Sequence, residues 1–149
     1  MAAASLHEKF MKLALKQAML AFDDGEIPVG AVVVHEGKVI GRGYNQVQKL
    51  NDPTAHAEML AITATCNGLG AKYLPDCTLY VTLEPCTMCA GAIKWAQIST
   101  IVFGAYDLKA GFSVFTHKLF PQKTELIGGV LEQECRLLIT DFFEELRSR

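Results

Sequence analysis

The N-terminal part of the chain carries apolar side chains at roughly helical spacing, with lysines on the opposite face. The apolar positions are Leu6, Phe10, Leu13 and Leu20, and the basic positions are Lys9, Lys12 and Lys16. Ser5 and Glu8 have the spacing of a capping box, and Asp24-Gly25 is typical of a helix end. The pattern predicts an amphipathic first helix that begins near Ser5 and ends near Asp24.

Two runs rich in β-branched residues follow, on either side of Glu36-Gly37. This dipeptide tolerates the positive φ angles of a two-residue turn, so we expect a β-hairpin. Two later runs are also typical of strands. They are Cys77 to Leu83 (CTLYVTL), which is apolar enough for a central strand, and Ser99 to Ala105 (STIVFGA).

Helical segments alternate with these strands. Asp52-Pro53 offers a cap and a first-turn proline for a helix over TAHAEMLAITATC, which is expected to stop at Asn67-Gly68. The other helical segments are CTMCAGAIKWAQ, after Pro85, and the closing LEQECRLLITDFFEELRSR. The stretch 109–122 has no clean period and is expected to form a loop that faces the substrate. The alternation predicts an α/β protein with a layered sheet, in one domain over residues 1–149.

Composition argues against several classes of protein. With 50% apolar and 20% charged side chains, the chain is not expected to be disordered. Its apolar runs are far shorter than the roughly 18 residues that span a bilayer, and no secretory signal is recognisable, so we expect a cytoplasmic protein without a membrane partner. A net charge of -2 without a basic block gives no electrostatic argument for nucleic acid.

The five cysteines are an odd number in a chain without an export signal, which favours free thiols or metal thiolates. Cys86 and Cys89 form a C-x-x-C pair at a predicted helix start, where the helix dipole favours thiolates. By itself the pair would also fit a redox site or two core cysteines. His56, at the start of the preceding helix, supplies a third ligand, and no second pair completes a structural zinc site. Three ligands and an open position are typical of a catalytic zinc, which acidifies its water toward hydroxide.

Glu58 strengthens the catalytic interpretation. Residues two apart on a helix point about 200° apart, so His56 and Glu58 cannot both ligate one metal from the side of a helix. The metal is therefore expected over the helix end, with Glu58 reaching the water as a proton shuttle. A zinc-bearing RNA-binding module without activity would have no use for this carboxylate. H-x-E combined with P-C-x-x-C is the pattern of zinc deaminases. Gly41-Arg42-Gly43 lacks the third glycine of a dinucleotide fingerprint, so no nucleotide cofactor is expected.

Longer segments resemble the bacterial tRNA-specific adenosine deaminases over nearly the whole chain. They are EIPVGAVVV, GYN, NDPTAHAE, TLYVTLEPCTMCAGAI and GGVLEQECRLLITDFFEELR. The resemblance implies a cytidine-deaminase-like three-layer α/β/α fold with a central mixed sheet, and a homodimer with one Zn²⁺ per chain. The implied reaction is the hydrolytic conversion of the wobble adenosine in a tRNA anticodon stem-loop to inosine. The matching positions are the ligands His56, Cys86 and Cys89, the proton shuttle Glu58, and the base-pocket residues Val29, Asn45, Ala57 and Glu84.

RNA contacts are implied mainly by the closing helix. The candidates are Lys109, Phe143, Arg147 and Arg149. The chain departs from this family at Ala105-Tyr106-Asp107, where an arginine usually precedes the aspartate, and in the loop from His117 to Lys123. Both segments belong to the surface that holds RNA. Deaminases of free guanine, cytosine or nucleosides share the zinc pattern and the fold, so they remain the alternative.

A dimer interface is expected after the cysteine pair. Its candidates are the apolar residues Ala90, Ile93, Trp95 and Ala96.

Overall fold

A computed structural model describes residues 3–116 and 118–149 of the protein. Within them the chain alternates helices and strands along most of its length. The helices are α1 (Ala3–Asp23), α2 (Val47–Leu50), α3 (Ala57–Leu69), α4 (Thr87–Trp95), α5 (Phe112–Phe115) and α6 (Glu132–Arg147). The strands are β1 (Gly30–His35), β2 (Lys38–Tyr44), β3 (Cys77–Leu83), β4 (Thr100–Ala105) and β5 (Glu125–Ile127).

The five strands form one mixed sheet in the order β2-β1-β3-β4-β5. β1 runs antiparallel to β2 and β3, whereas β4 runs parallel to both β3 and β5. His35 pairs with Cys77, so the hairpin turn lies at the edge of the sheet where β3 begins. The end of β3, at Leu83, lies at the opposite edge. The predicted hairpin and central strand are confirmed.

Helices cover both faces of the sheet and enclose two cores. On one face, apolar side chains of α3 and α4 pack on alternate residues of β1, β3 and β4. On the other face, α1 and α6 pack on the intervening residues, among them Val32, Tyr80 and Val102. Side chains alternate between the two faces of a strand, so the apolar central strands supply both cores. The predicted three-layer α/β/α architecture with a central mixed sheet is confirmed.

Glycines determine how closely α3 approaches the sheet. A Cβ atom on Gly43 would lie 2.5 Å from the carbonyl oxygen of Ala57, and one on Gly41 would collide with Thr65. Gly41 and Gly43 therefore have a packing role at the contact between β2 and α3. Gly37 has another role, since it and Glu36 adopt positive φ values of 76° and 49° in the hairpin turn.

Three predicted helix boundaries are wrong. Ser5 lies within α1, which includes Ala3, so Ser5 is not a helix cap. Asp52 does not cap a helix either, because its carboxylate accepts hydrogen bonds from the backbone N–H and the hydroxyl of Thr54 in a local turn. α3 instead begins at Ala57 and continues past Gly68 to Leu69, and the residue that caps its end is Gly70 in the left-handed conformation.

The stretch 109–122 contains the short helix α5 as well as loop, and β5 follows it at the sheet edge. Neither element was predicted, because four- and three-residue elements are too short to show a period. The predicted loop from His117 to Lys123 begins at a residue outside the described part of the chain. No helix within the described ranges is long and apolar enough to cross a membrane.

The predicted dimer candidates on α4 are mostly wrong. Ala90, Ile93 and Ala96 are all buried within the chain itself, and Ile93 and Ala96 belong to the core between α4 and the sheet. Trp95 alone of the four points outward, with 80% of its surface exposed.

Candidate active site

Two helix N-termini meet beside the end of β3. His56 is the N-cap of α3 and Cys86 is the N-cap of α4, and both have extended backbone conformations. Cys89 lies in the first turn of α4. A cap residue is free of the helical side-chain direction, so His56 can face across the helix end toward the cysteines. The structure therefore brings together the three residues that were predicted as zinc ligands.

The spacing of these three residues fits a zinc ion. His56 Nδ1 lies 3.6 Å from Cys86 Sγ and 3.5 Å from Cys89 Sγ. Three ligand atoms, one from each residue, all lie within 4.8 Å of one another. Zinc bonds of about 2.0 Å to nitrogen and 2.3 Å to sulfur at tetrahedral angles require N···S distances of about 3.5 Å. The donor set and its spacing thus match a tetrahedral site with three protein ligands.

The two thiols differ in acidity. A hydrogen bond from the Cys89 thiol lowers the pKa of Cys86 to about 4, and the His56 ring acts in the same direction. The same bond raises the pKa of Cys89, together with the burial of its sulfur. The hydrogen bond between His56 and Cys86 raises the pKa of His56. Cys86 is therefore a thiolate at neutral pH, which is the form that binds a metal.

Glu58 is a further chemically important residue, at the N-terminal end of α3. It lies in the first turn of α3 and is only 4% exposed. Burial raises the pKa of its carboxyl to about 7, and the negative charge of Cys86 adds to the shift. Such a carboxyl can both accept and release a proton near neutral pH.

His56, Cys86 and Glu58 open into a cavity of about 590 Å³. This volume is within the usual range for small-molecule sites. The cavity wall comes from five parts of the chain around the end of β3. Its lining residues include Gly25, Glu26, Ile27, Val29, Asn45, Val47, Gln48, Pro53, Leu83, Glu84, Asp107, Ala110, Phe142, Phe143 and Leu146. The cavity has space for a heterocyclic base beside the predicted zinc ligands.

Comparison with known proteins agrees with this geometry. Residues 4–105 match the family described as the cytidine and deoxycytidylate deaminase zinc-binding region. The chain belongs to this family. It is a zinc-dependent hydrolytic enzyme, as the sequence predicted.

The deaminase is also similar to particular relatives. It is 44% identical to the tRNA-specific adenosine deaminase of Aquifex aeolicus, over 95% of this chain and 96% of that protein. A solved structure from a study of A-to-I editing by tRNA:A34 deaminases matches with a TM-score of 0.81 and 42% identity, over 87% and 98% of the two chains. The guanine deaminase of Bacillus subtilis matches with a TM-score of 0.64 and 47% identity, over 67% and 64%. The cytidine-deaminase-like fold is thereby confirmed.

The predicted base-pocket residues of the deaminase have different environments. Val29 and Asn45 line the cavity. The amide oxygen of Asn45 accepts a hydrogen bond of 2.8 Å from the backbone N–H of Ala57, so its NH₂ group is what it can offer to a base. The methyl group of Ala57 packs in the core, and among the described residues Ala57 is not part of the cavity lining. Its backbone N–H holds the amide oxygen of Asn45.

Glu84 is buried at the cavity wall, and its carboxylate accepts hydrogen bonds from backbone groups that follow β4. It accepts hydrogen bonds from the N–H of Asp107 at 3.1 Å and from the N–H of Ser113 at 3.0 Å. The Ser113 hydroxyl also donates to it. Glu84 therefore holds the loop between β4 and α5 against the end of β3.

The predicted RNA-binding residues are only partly brought to the cavity. Phe143 lines it, and its ring packs edge-on against Phe142 at 5.3 Å between centroids. Arg147 and Arg149 are exposed at the end of α6, and Lys109 is exposed on the loop after β4. The three cations lie outside the cavity wall, on solvent-facing surface.

Sequence reasoning missed several residues of the cavity wall. Phe142 and Leu146 lie in the predicted closing helix and both line the cavity, but neither was predicted as a base-pocket residue. Val47 and Gln48 belong to the unpredicted α2, and Glu26 was not singled out. The local sequence offered one indication that Glu26 has a special role, namely its position directly after the helix-ending Gly25.

We expect Cys86→Ala and Cys89→Ala each to lose most of the bound zinc, because either change removes one of three ligands. Metal analysis of the purified protein, with a count of zinc per chain, measures this. Wild-type protein should carry one zinc. Cys66→Ala is the matched control, since Cys66 lies in α3 away from His56, and it should keep the metal. Full zinc content in Cys86→Ala would contradict the assignment.

Proposed function

We propose that the protein hydrolytically deaminates the wobble adenosine of a tRNA anticodon stem-loop to inosine. One observation supports the proposed chemistry. His56, Cys86 and Cys89 are spaced to hold a zinc ion, and they lie beside the buried carboxylate of Glu58 in an open cavity. The choice of substrate rests on similarity along almost the full length of tRNA-specific adenosine deaminases.

His56, Cys86 and Cys89 would hold the metal through one ring nitrogen and two thiolates. When bound, zinc supplies a Lewis acid that makes the attacking water more acidic. Glu58 takes the proton from this water as it attacks the amino-bearing carbon of the base. It delivers this proton to the ring nitrogen, then takes the remaining proton of the added hydroxyl group and passes it to the amino group, which departs as ammonia as the C–N bond breaks. Water is consumed, and the base gains a carbonyl group.

Asn45 and Val29 hold the base in this proposal. The NH₂ group of Asn45 donates a hydrogen bond to the base, and Val29 supplies an apolar contact. A wobble nucleotide lies in a loop, so it can be turned out of its stack at low cost. The ring of Phe143 is available for stacking against the nucleotides beside the target.

Lys109, Arg147 and Arg149 would contact the phosphates of the stem-loop. Their side chains are exposed, and Arg147 is only one residue beyond Leu146, which lines the cavity. Local cations at the cavity mouth can attract RNA although the whole chain has a net charge of -2.

We also propose a homodimer, and a cytoplasmic site of action where tRNA is available. Large exposed apolar side chains commonly mark protein interfaces. Trp95 on α4 and Phe115 on α5 are both strongly exposed, and these two helices contact each other. This surface is our candidate for contact with a second copy of the chain.

Deamination of free guanine is the second candidate function. The observation that favours it is the 47% identity to the guanine deaminase of Bacillus subtilis over two-thirds of the chain. Tyr106 in place of the usual arginine points in the same direction. The zinc chemistry would be unchanged, and only the substrate would differ.

An assay of inosine in tRNA, run beside ammonia release from free bases, tests the function. Wild-type protein should form inosine at the wobble position and release little ammonia from guanine, cytosine or nucleosides. Glu58→Gln should lower turnover by roughly 10²- to 10⁴-fold, because an amide cannot shuttle protons, while zinc and RNA binding persist. Glu8→Gln, at an exposed glutamate of α1, is the control and should be fully active.

Two outcomes would contradict these expectations. Undiminished turnover by Glu58→Gln would rule out the proton shuttle. Efficient guanine deamination without inosine in tRNA would replace the first candidate function by the second.

RNA binding through phosphates should depend steeply on salt. The logarithm of the affinity should fall by about 0.7 per phosphate contact for each tenfold rise in salt. Truncation after Leu146 removes Arg147 and Arg149, so two lost contacts should lower this slope by about 1.4 while zinc stays bound. Fluorescence anisotropy with a labelled stem-loop measures both quantities.

The matched control for the truncation is Lys38→Gln combined with Lys72→Gln. Lys38 is exposed beside the hairpin turn and Lys72 is exposed in the segment that leads from α3 to the start of β3, both away from the end of β3 where the cavity lies, so their removal should leave the slope unchanged. A wild-type affinity that is independent of salt would argue against an RNA substrate.

The oligomeric state tests the proposed dimer. Wild-type protein should sediment as a dimer, and Trp95→Glu should shift it toward the monomer, because the new charge would be desolvated at the interface. Leu137→Glu places the same charge on α6, on the other face of the sheet, and should remain dimeric. A monomeric wild type, or an unaffected Trp95→Glu variant, would refute the interface.

A further inference from the structure

Glu26 is a buried carboxylate outside the predicted catalytic set. It is 3% exposed, and both of its oxygens accept hydrogen bonds from backbone groups of α2. Oε1 accepts from the N–H of Gln48 at 3.0 Å, and Oε2 accepts from the N–H of Lys49 at 2.8 Å. A buried carboxylate is costly unless it is hydrogen-bonded in this way. The side chain is therefore committed to α2.

These two bonds replace a helix cap. Gln48 and Lys49 are the second and third residues of α2, whose N–H groups have no partner within the helix. The residue before α2, Gln46, makes no capping bond with its side chain. A carboxylate distant in sequence thus performs the function that an N-cap side chain usually performs.

Glu26 is itself held firmly by α1. Gly25, with a φ of 78°, ends this helix, and the N–H of Glu26 bonds to the carbonyl oxygen of Ala21 at 2.9 Å. α1 packs in one of the two cores. The carboxylate therefore has a fixed position relative to the sheet.

The other side-chain contact that ties α2 to the end of α1 is an exposed ion pair, Lys49 Nζ to Asp24 Oδ2 at 3.7 Å, and such surface pairs contribute little stability. α2 has four residues, none of them buried, and a single turn of helix is not stable by itself. Yet Val47 and Gln48 line the same cavity as His56 and Glu58. The position of this part of the cavity wall depends on what holds α2.

We propose that Glu26 is a positioning residue for substrate binding, because its carboxylate holds α2 where Val47 and Gln48 form one wall of the base pocket. The proposal rests on the proposed function for the identity of the base. Glu26 is paired with the backbone of α2, while the zinc ligands and Glu58 belong to α3 and α4. Loss of the Glu26 carboxylate should therefore weaken substrate binding and leave the chemical step intact.

Glu26→Gln is the decisive variant. Its amide keeps one acceptor oxygen but turns an NH₂ group toward a backbone N–H, so one hydrogen bond is lost. KM for the anticodon stem-loop should rise about tenfold, whereas kcat should stay within about threefold of wild type. The amide protons of Gln48 and Lys49 should exchange faster in NMR measurements, while those of α3 should be unchanged. Zinc content should also be unchanged.

Two further variants complete the experiment. Glu36→Gln makes the same chemical change at the hairpin turn, where the side chain is 84% exposed, and it should match wild type in every measurement. Glu26→Asp keeps both acceptor oxygens on a shorter side chain, and its KM should lie between those of wild type and Glu26→Gln. If Glu26→Gln does not fold, Glu26→Asp provides the same comparison of KM with kcat and of amide exchange.

Three outcomes would overturn the proposal. Unchanged exchange at Gln48 and Lys49 would mean that Glu26 does not hold α2. Faster exchange with an unchanged KM would mean that α2 does not shape the pocket, and a fall in kcat alone would give Glu26 a role in the chemistry. If wild-type protein forms no inosine, the proposed function fails separately, and Glu26 is then tested by amide exchange and by KM for the base that is deaminated.

Discussion

The placement of the His56 ring nitrogen about 3.5 Å from the sulfurs of both Cys86 and Cys89 is the constraint on which the rest of the structure depends. His56 and Cys86 are both helix caps, so the two helix starts must meet within a few ångströms. β3 leads into α4, and the glycines of β2 let α3 lie directly on the sheet. The packing of these elements thereby determines the geometry of the predicted metal site.

Buried carboxylates have two separate uses around this site. Glu58 lies at the cavity beside the predicted zinc ligands, and burial raises the pKa of its carboxyl to about 7, a value that suits proton transfer. Glu26 and Glu84 instead accept hydrogen bonds from backbone N–H groups, Glu26 from α2 and Glu84 from the β4–α5 loop and α5. These hydrogen bonds compensate for the burial of both carboxylates and connect them to α2 and to the β4–α5 loop, which both contribute to the cavity wall. A rigid core therefore supports a pocket made largely of irregular segments.

The sequence indicated the chemistry more reliably than the boundaries of the elements. His56, Glu58, Cys86 and Cys89 were recognisable because few other uses combine these residue types at this spacing. The hairpin at Glu36-Gly37 was also predictable, since positive φ is locally encoded. The Asp52-Pro53 cap was not correct, because a local turn through Thr54 competed for the same carboxylate. Apolar residues such as Ala90, Ile93 and Ala96 are typical both of interfaces and of protein cores. Only their burial in the tertiary structure assigns them to the core.

The sequence by itself determined the layered α/β fold and the zinc-deaminase chemistry, because the periods of apolar residues and the ligand spacing are local properties of the chain. Tertiary structure decided the rest of the pocket. The ends of α1, α2 and α6 meet at the cavity although more than a hundred residues separate Glu26 from Phe143. Hydrogen bonds such as those from Gln48 and Lys49 to Glu26 join segments that have no local pattern in common. Such contacts arise only when the sheet and its helices have brought distant segments together.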